Sequence, residues 1–287
     1  MYSVKSYSFF ILNIKILFCS VIFFTHILAR PHFCKITSGE KHFVIVCAGY
    51  NNKNWYRWNL DSLMHQKYSN YHIIYIDDAS SDGTADLVQQ YIKKNKAESR
   101  IKLIRNMERR GALENHYRTI HECADEDIII NVDADDALAG DWVLSYMNQV
   151  YSDPNIWLTY GQFVFYPEGN MGYCRSIAQE EFERDRRWCH FATHMRTFYA
   201  GLYKKIDRKD LVNRDGSFFK VTCDKATMTP MMEMAYPRFM FIPEVVYLYN
   251  NINTLSDARL YGDQQVAVAE MIYAKERYQP LSGPLPY

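Results

Sequence analysis

The chain carries no excess of charge: Lys plus Arg and Asp plus Glu each number 33. It has no block of five or more basic residues and no RNA- or DNA-binding motif, so a nucleic-acid partner is not expected. Cysteine is sparse and scattered. The seven present (Cys19, Cys34, Cys47, Cys123, Cys174, Cys189, Cys223) are odd in number and form no Cys-x-x-Cys pair. That spacing offers neither a zinc site nor a disulfide framework, and buried free thiols are the expectation. No Asn-x-Ser/Thr sequon occurs, so passage through a glycosylating compartment gains no support. Internal repeats and low-complexity segments are absent too.

Long apolar runs are also lacking. From Phe9 to Leu28 the chain is strongly apolar, but Asn13 and Lys15 interrupt it, and the unbroken part, Ile16 to Leu28, has thirteen residues. A spanning helix needs about twenty, so this length is nearer that of a signal-peptide core. Ala29 suits a cleavage site, although Ile27 is bulky for the −3 position. Residues 1–30 are therefore read as a signal peptide or a signal anchor, with membrane association through residues 9–28. Lys5 before the segment and Arg30 and Lys35 after it give opposed orientation signals. A membrane-associated or exported location follows, with a cytosol-facing catalytic domain as the alternative.

What the chain does hold is two acidic turns built alike. Ile128-Ile129-Ile130 reads as a buried strand, and it runs straight into Asn131-Val132-Asp133-Ala134-Asp135-Asp136. Carboxylates a few Å apart repel one another, and a hard divalent cation such as Mg²⁺ or Mn²⁺ is the usual way to offset that repulsion. The plainer alternative is an acidic turn before a helix capped by Asp141. Upstream, Ile73-Ile74-Tyr75-Ile76 ends in Asp77-Asp78-Ala79-Ser80-Ser81-Asp82-Gly83-Thr84, with Ser81 or Asp82 as a helix N-cap. Two strand-to-acid-to-helix turns predict an α/β sheet, mostly parallel and flanked by helices, with ligands at the carboxyl ends of its strands.

The remaining pattern agrees. Strands are expected at 43–48, 71–76, 101–104 and 127–132, alternating with helices near 55–66, 85–94 and 113–122. Beyond Asp136 the signal loosens: a helix at 141–150, strand character at 157–165, helices at 190–203 and 225–235, strands at 240–243 and 245–249, and a last helix at 264–277. The 23 Tyr and 16 Phe are mostly core material, with Trp157, Tyr160 and Trp188 as candidates for a sugar platform. His190 and His194, four apart, read as packing histidines with a ligand role as the alternative.

Residues 42–144 resemble the family 2 glycosyltransferases of the GT-A fold. Five features carry the resemblance in order: the first strand with Tyr50-Asn51 after it, Ser62-Leu63-Met64-His65-Gln66, the segment Asp77 to Thr84, Arg110-Gly111, and the Asp-x-Asp of Asp133-Ala134-Asp135. The resemblance implies a GT-A domain over residues 36–277, with a nucleotide-sugar half (36–145), an acceptor half (146–277) and a loose tail (278–287).

It also implies the chemistry, a hexosyltransferase-like inverting transfer. The donor would be a nucleotide-diphosphate sugar, a UDP-sugar foremost, with its base against Ala48, Tyr50, Asn51, Asp77, Asp78 and Arg110. Asp133 would hold ribose and, with Asp135, a Mn²⁺ or Mg²⁺; Asp135 is the expected direct ligand. Inversion needs a general base on the acceptor hydroxyl. Asp224 is the candidate, in Cys223-Asp224-Lys225, and Glu233 the second choice, about 13.5 Å further along a continuous helix. The acceptor would be a glycan, lipid or protein. Two competing classes remain. Sugar-phosphate nucleotidyltransferases open with a Gly-rich loop, whereas Cys47-Ala48-Gly49-Tyr50 has one glycine. An inactive, membrane-tethered sugar-binding protein would not need the full acidic set.

Overall fold

The computed structural model describes residues 39–255, 257–283 and 285. The apolar leader lies outside them, and no helix among the described residues is long and apolar enough to cross a membrane. One eight-stranded sheet spans both halves of the domain, in the spatial order β3 (Ile101–Arg105), β2 (Tyr71–Asp77), β1 (Phe43–Gly49), β4 (Ile128–Asn131), β7 (Arg196–Tyr199), β6 (Leu158–Tyr166), β8 (Phe239–Asn250) and β5 (Ala137–Leu138).

The first half forms as its pattern dictates. β1 (Phe43–Gly49), β2 (Tyr71–Asp77), β3 (Ile101–Arg105) and β4 (Ile128–Asn131) are parallel neighbours, linked by α1 (Tyr56–Met64), α2 (Thr84–Lys94) and α3 (Ala112–Glu122). Phe43, Ile45, Val46 and Cys47 of β1 and Ile128 to Ile130 of β4 are wholly buried, which is what an apolar run between two helical layers requires. Asp82 accepts hydrogen bonds from the Thr84 amide and hydroxyl at the start of α2. Asp141 does not cap α4 (Val143–Val150), which starts at Trp142 with no side-chain cap; its carboxylate meets Lys67 at 2.9 Å.

The second half departs from the sequence expectation in three ways. Residues 190–203 are not a helix. They contain a 3-10 turn (Arg187–Phe191), then β7 (Arg196–Tyr199), then the single-turn α6 (Ala200–Tyr203). β7 runs antiparallel to β4 and to β6 (Leu158–Tyr166), so the sheet is mixed rather than mostly parallel. The two expected C-terminal strands are one, β8 (Phe239–Asn250), parallel to β6, and its far end holds the short β5 (Ala137–Leu138). The other helices are α5 (Gln179–Arg184), α7 (Cys223–Ala235), α8 (Asp257–Leu260) and α9 (Gly262–Tyr273).

The tail differs from expectation as well. Its described residues are not loose, because they find backbone partners and an apolar seat. Leu281 donates its amide to Met234, Arg238 donates to the Gly283 carbonyl, and Leu285 is buried.

Strand direction now locates the site. The parallel β1, β2 and β4 release Ala48–Tyr50, Asp77–Asp78 and the acidic loop at one edge of the sheet. The antiparallel β7 begins at that same edge, since Arg196 pairs with Asn131, the last residue of β4. β6 and β8 end there as well, with Phe163, Phe165, Tyr247 and Tyr249.

Candidate active site

The acidic loop is held from beneath by one face of α1. Asn59, Ser62 and Gln66, spaced three and four apart, point the same way. Asn59 donates to the carbonyls of Asp133 (3.1 Å) and Asp136 (2.8 Å). Ser62 Oγ accepts from the Leu138 amide, and Gln66 donates to the Gly140 carbonyl while accepting from the Leu144 amide. The Ser-Leu-x-x-Gln pattern is thus a brace for the loop and for the chain leaving it. Gly49 presses against this loop. A Cβ there would lie 2.5 Å from that of Ala134 and 2.2 Å from Asn52 Nδ2, so the contact admits glycine only.

β8 holds the loop from the other side. The Tyr247 hydroxyl accepts from the Asp133 amide (3.0 Å) and donates to Asp136 Oδ2 (2.7 Å), and the Asn250 amide donates to Asp136 Oδ1 (2.7 Å). Asp136 is buried among these partners. Loss of water, with the charges of Asp135 and Asp133, pushes its carboxyl well above the usual range. Asp133 and Asp135, two residues apart on the same side of the loop, both face a cleft of about 880 Å³. Asn253 donates to Asp135 Oδ2 at 2.6 Å.

β7 and the residues just before it bring two more groups to the site: Arg196, whose sequence reading allowed a phosphate or acceptor contact or a surface salt bridge, and His194, read as a packing histidine with a ligand role as the alternative. Arg196 is 5% exposed, and its Nη2 lies 3.6 Å from Asp133 Oδ1. Burial opposes its charge, yet Asp133 and Asp224 outweigh that and keep the guanidinium firmly protonated. His194 Nδ1 lies 4.0 Å from Asp133 Oδ2, buried and without a hydrogen-bond partner. Burial, then Arg196, lowers its pKa well below the usual value, so the imidazole is neutral. One ligand atom each from Asp133, Asp136 and His194 lies within 4.8 Å of the others. Both Asp136 oxygens already accept short hydrogen bonds, so Asp136 is better suited to buttressing than to ligation. That leaves Asp133 and the unpartnered nitrogen of His194 as the members of this group open to Mn²⁺ or Mg²⁺, with Asp135 as a further acid lining the same cleft.

The other wall belongs to β1 and β2. Ala48, Tyr50 and Asp78 line the cleft; Asn51 and Asp77 do not. Asp77 Oδ2 accepts from the Ser80 amide, and Asn51 Oδ1 accepts from the Ser81 amide, so these two shape the turns. Asp78 accepts from Asn106 Nδ2 (2.8 Å), the Arg110 amide (3.0 Å) and the Gly111 amide (2.8 Å). Burial is the largest influence on it and pushes its pKa up. The donors around it, Asn115 and Asn106 side chains with the two amides, together outweigh burial and lower it. The Arg110 side chain turns away to Glu114 (2.9 Å), and Arg109 takes its expected place, its guanidinium 3.8 Å above the Tyr50 ring.

The two base candidates separate. Asp224, in the first turn of α7, lines the cleft, and among the described residues no donor holds its carboxylate. Glu233 is 2% exposed at the other end of α7, away from the cleft. Arg186 grips it with Nε on Oε1 and Nη2 on Oε2, both at 2.7 Å, and the Tyr278 amide donates to Oε2. A carboxylate so engaged cannot accept a substrate proton, and the second choice of base is corrected to a buried ion pair. The sugar-platform candidates Trp157, Tyr160 and Trp188 are core residues, each 1% exposed.

A mixed sheet with a nucleotide-sized cleft at its carboxyl edge, floored by an Asp-x-Asp loop, defines a sugar transferase of the GT-A type. The family model for glycosyl transferase family 2 matches residues 43–211, and the chain belongs to that family; it is a glycosyltransferase. No individually curated protein matches. Among solved structures, residues 1–349 of S. aureus TarS in complex with UDP-GlcNAc align with a TM-score of 0.60 at 16% identity, over 80% of this chain and 65% of that one. The Pyrobaculum calidifontis mannosyltransferase PcManGT, with GDP-Man and Mn²⁺, aligns at 0.57 and 18% identity, over 94% and 76%. GalNAc-T7 with UDP, GalNAc and Mn²⁺ aligns at 0.53 and 15% identity, over 80% and 48%. At these identities the likeness concerns the fold.

Proposed function

We propose that this glycosyltransferase moves a sugar from a UDP-sugar to an acceptor hydroxyl, with a divalent metal and with inversion at the anomeric carbon. The observation that carries the reading is the unengaged Asp224 carboxylate in the same cleft as Asp133 and Asp135. Asp133 and Asp135, with His194 beside them, would hold the metal. Bound there, it would supply positive charge against the departing nucleotide diphosphate. Arg196 adds a fixed positive charge next to Asp133. Asp224 takes the proton of the acceptor hydroxyl. The acceptor oxygen then bonds to the anomeric carbon on the face opposite the leaving group, and the bond from that carbon to the diphosphate oxygen breaks.

Asp78 is placed to meet an N–H of the base. Asn106 and the Arg110 amide both use Oδ1, whereas the Gly111 amide alone is bonded to Oδ2, so Oδ2 is the more open oxygen. One open oxygen suits the single N–H that uracil presents between its two carbonyls better than the N–H and amino group that guanine presents side by side. Arg109 already stacks on the Tyr50 ring at this end of the cleft, so a flat base would pack against that pair and not between its members.

Thermal shift of the full-length chain against UDP and GDP, each with Mn²⁺ or with EDTA, tests this reading. It expects stabilisation by UDP that vanishes with EDTA and a weaker response to GDP. No response to either nucleotide would remove the donor assignment.

A further inference from the structure

Tyr173 stands in the cleft wall with 46% of the residue exposed, yet its ring is fixed. His190 lies parallel to it, with centroids 4.7 Å apart and 2° between the planes. Phe163 meets it edge to face at 5.4 Å and 88°. An exposed tyrosine clamped from two directions in a concave site is a flat, immobile apolar surface, and holding it there costs little entropy on binding.

Its place in the cleft is the base end. His190, stacked on it, belongs to the 3-10 turn Arg187–Phe191, which packs against α7, the helix that carries Asp224, and all three residues line the cleft. After burial, the charge of Asp224 is the next influence raising the Tyr173 phenol pKa. The surface around a group that deprotonates the acceptor is where the acceptor binds. Thr193, Asn251, Gln264 and Gln265 also line this cleft, neutral groups able to donate and accept hydrogen bonds, and Lys225, next to Asp224, adds a charged donor.

We propose that Tyr173 is the platform of the acceptor site and that the acceptor is a carbohydrate, its C–H face packed on the phenol ring while one hydroxyl reaches Asp224. The inference rests on the reading of Asp224 as the base. A sugar ring combines a flat apolar face with a rim of hydroxyls, matching one fixed aromatic surface among hydrogen-bonding side chains. An acyl chain would strip water from those polar groups and return no hydrogen bond.

Saturation-transfer NMR on the full-length chain tests it, using methyl glycosides of glucose, galactose, mannose and N-acetylglucosamine as acceptor probes. UDP with Mg²⁺ serves as the donor probe in parallel. At least one glycoside is expected to bind and to show saturation concentrated on the C–H protons of one face. Tyr173→Ala should weaken that binding about tenfold or more, while Tyr173→Phe and Tyr173→Trp stay within about threefold of wild type. UDP binding should be unchanged in all three variants. A protein that binds UDP but none of the glycosides overturns the carbohydrate assignment. So does a Tyr173→Ala variant that binds as wild type does, or a Tyr173→Phe variant that loses as much as Tyr173→Ala. Ring-dependent glycoside binding without UDP binding would support the acceptor platform and remove the donor reading alone.

Discussion

Asn59 in α1 and Asp136 in the acidic loop are 77 positions apart in sequence and are joined by a hydrogen bond of 2.8 Å from the side-chain amide to the backbone carbonyl. Asn59 is wholly buried, and its second bond reaches Asp133. Asn59→Ala leaves two buried carbonyls without that donor, a loss of about 1–3 kcal/mol. Urea unfolding should register the loss, and titration with Mn²⁺ in the presence of UDP should show weaker affinity. Unchanged affinity would mean that the loop keeps its shape without the brace.

Asp135→Ala should abolish metal-dependent binding of UDP and leave the melting temperature of the unliganded protein close to wild type, because the side chain faces the cleft. Calorimetric titration of UDP with and without Mn²⁺ reads this directly. Wild-type affinity in the variant would move the metal ligands elsewhere in the loop.

For Asp224→Asn the expected result is intact UDP binding with turnover lowered by about 10²–10⁴, the usual loss when a general base is removed. Release of UDP from the UDP-sugar that the chain accepts is the readout. Turnover at the wild-type rate would exclude Asp224 as the base.

Glu233→Gln should behave in the opposite way. It leaves the buried Arg186 guanidinium without its counter-charge, and breaking such a pair costs about 3–5 kcal/mol. The midpoint of urea unfolding should fall sharply while turnover per folded molecule persists. A folded, fully stable and inactive variant would restore Glu233 as a catalytic candidate.

His116, on α3, supplies a pH dependence. Burial is the main cause that lowers its pKa to about 4, against about 6.5 when unfolded. Between those values the unfolded chain binds the extra proton, so stability falls as pH drops from about 6.5 to about 4, by on the order of 3 kcal/mol in all. His116→Gln lacks this contribution, and its stability relative to wild type should improve across that window. Parallel pH profiles for the two proteins would show that His116 does not titrate this way.

The first half of the fold was legible because β1 and β4 are unbroken apolar runs, and β2 nearly so, each closing in a polar turn. β7 was not. Its four residues, Arg196-Thr197-Phe198-Tyr199, carry no alternation, and the aromatic and histidine residues before them fit helical spacing equally well. His194 and Arg196 could not be placed beside the acidic loop from sequence as a consequence, since only the antiparallel pairing with β4 brings them there. Arg109 and Arg110 are adjacent, and sequence offers no means to tell which faces the cleft. Entry into α3 decides it, because the Arg110 amide is spent on Asp78 and its side chain pairs with Glu114 one turn on. Strand alternation explains the aromatic assignment. Tyr160 and Phe163 are three residues apart and so point to opposite faces of β6, which leaves Tyr160 in the core while Phe163 and Phe165 reach the site.

The grip of Arg186 has a further effect, on the order in which the molecule is finished. Besides Glu233, its guanidinium donates to the carbonyls of Ile272, Lys275 and Glu276, while Glu233 accepts from Tyr278. Neither charge can be sealed from water until residues 272–278 are in place. During synthesis, α7 can therefore coil early but cannot dock until that segment has left the ribosome. The helix that presents Asp224 is among the last parts of the enzyme to become rigid.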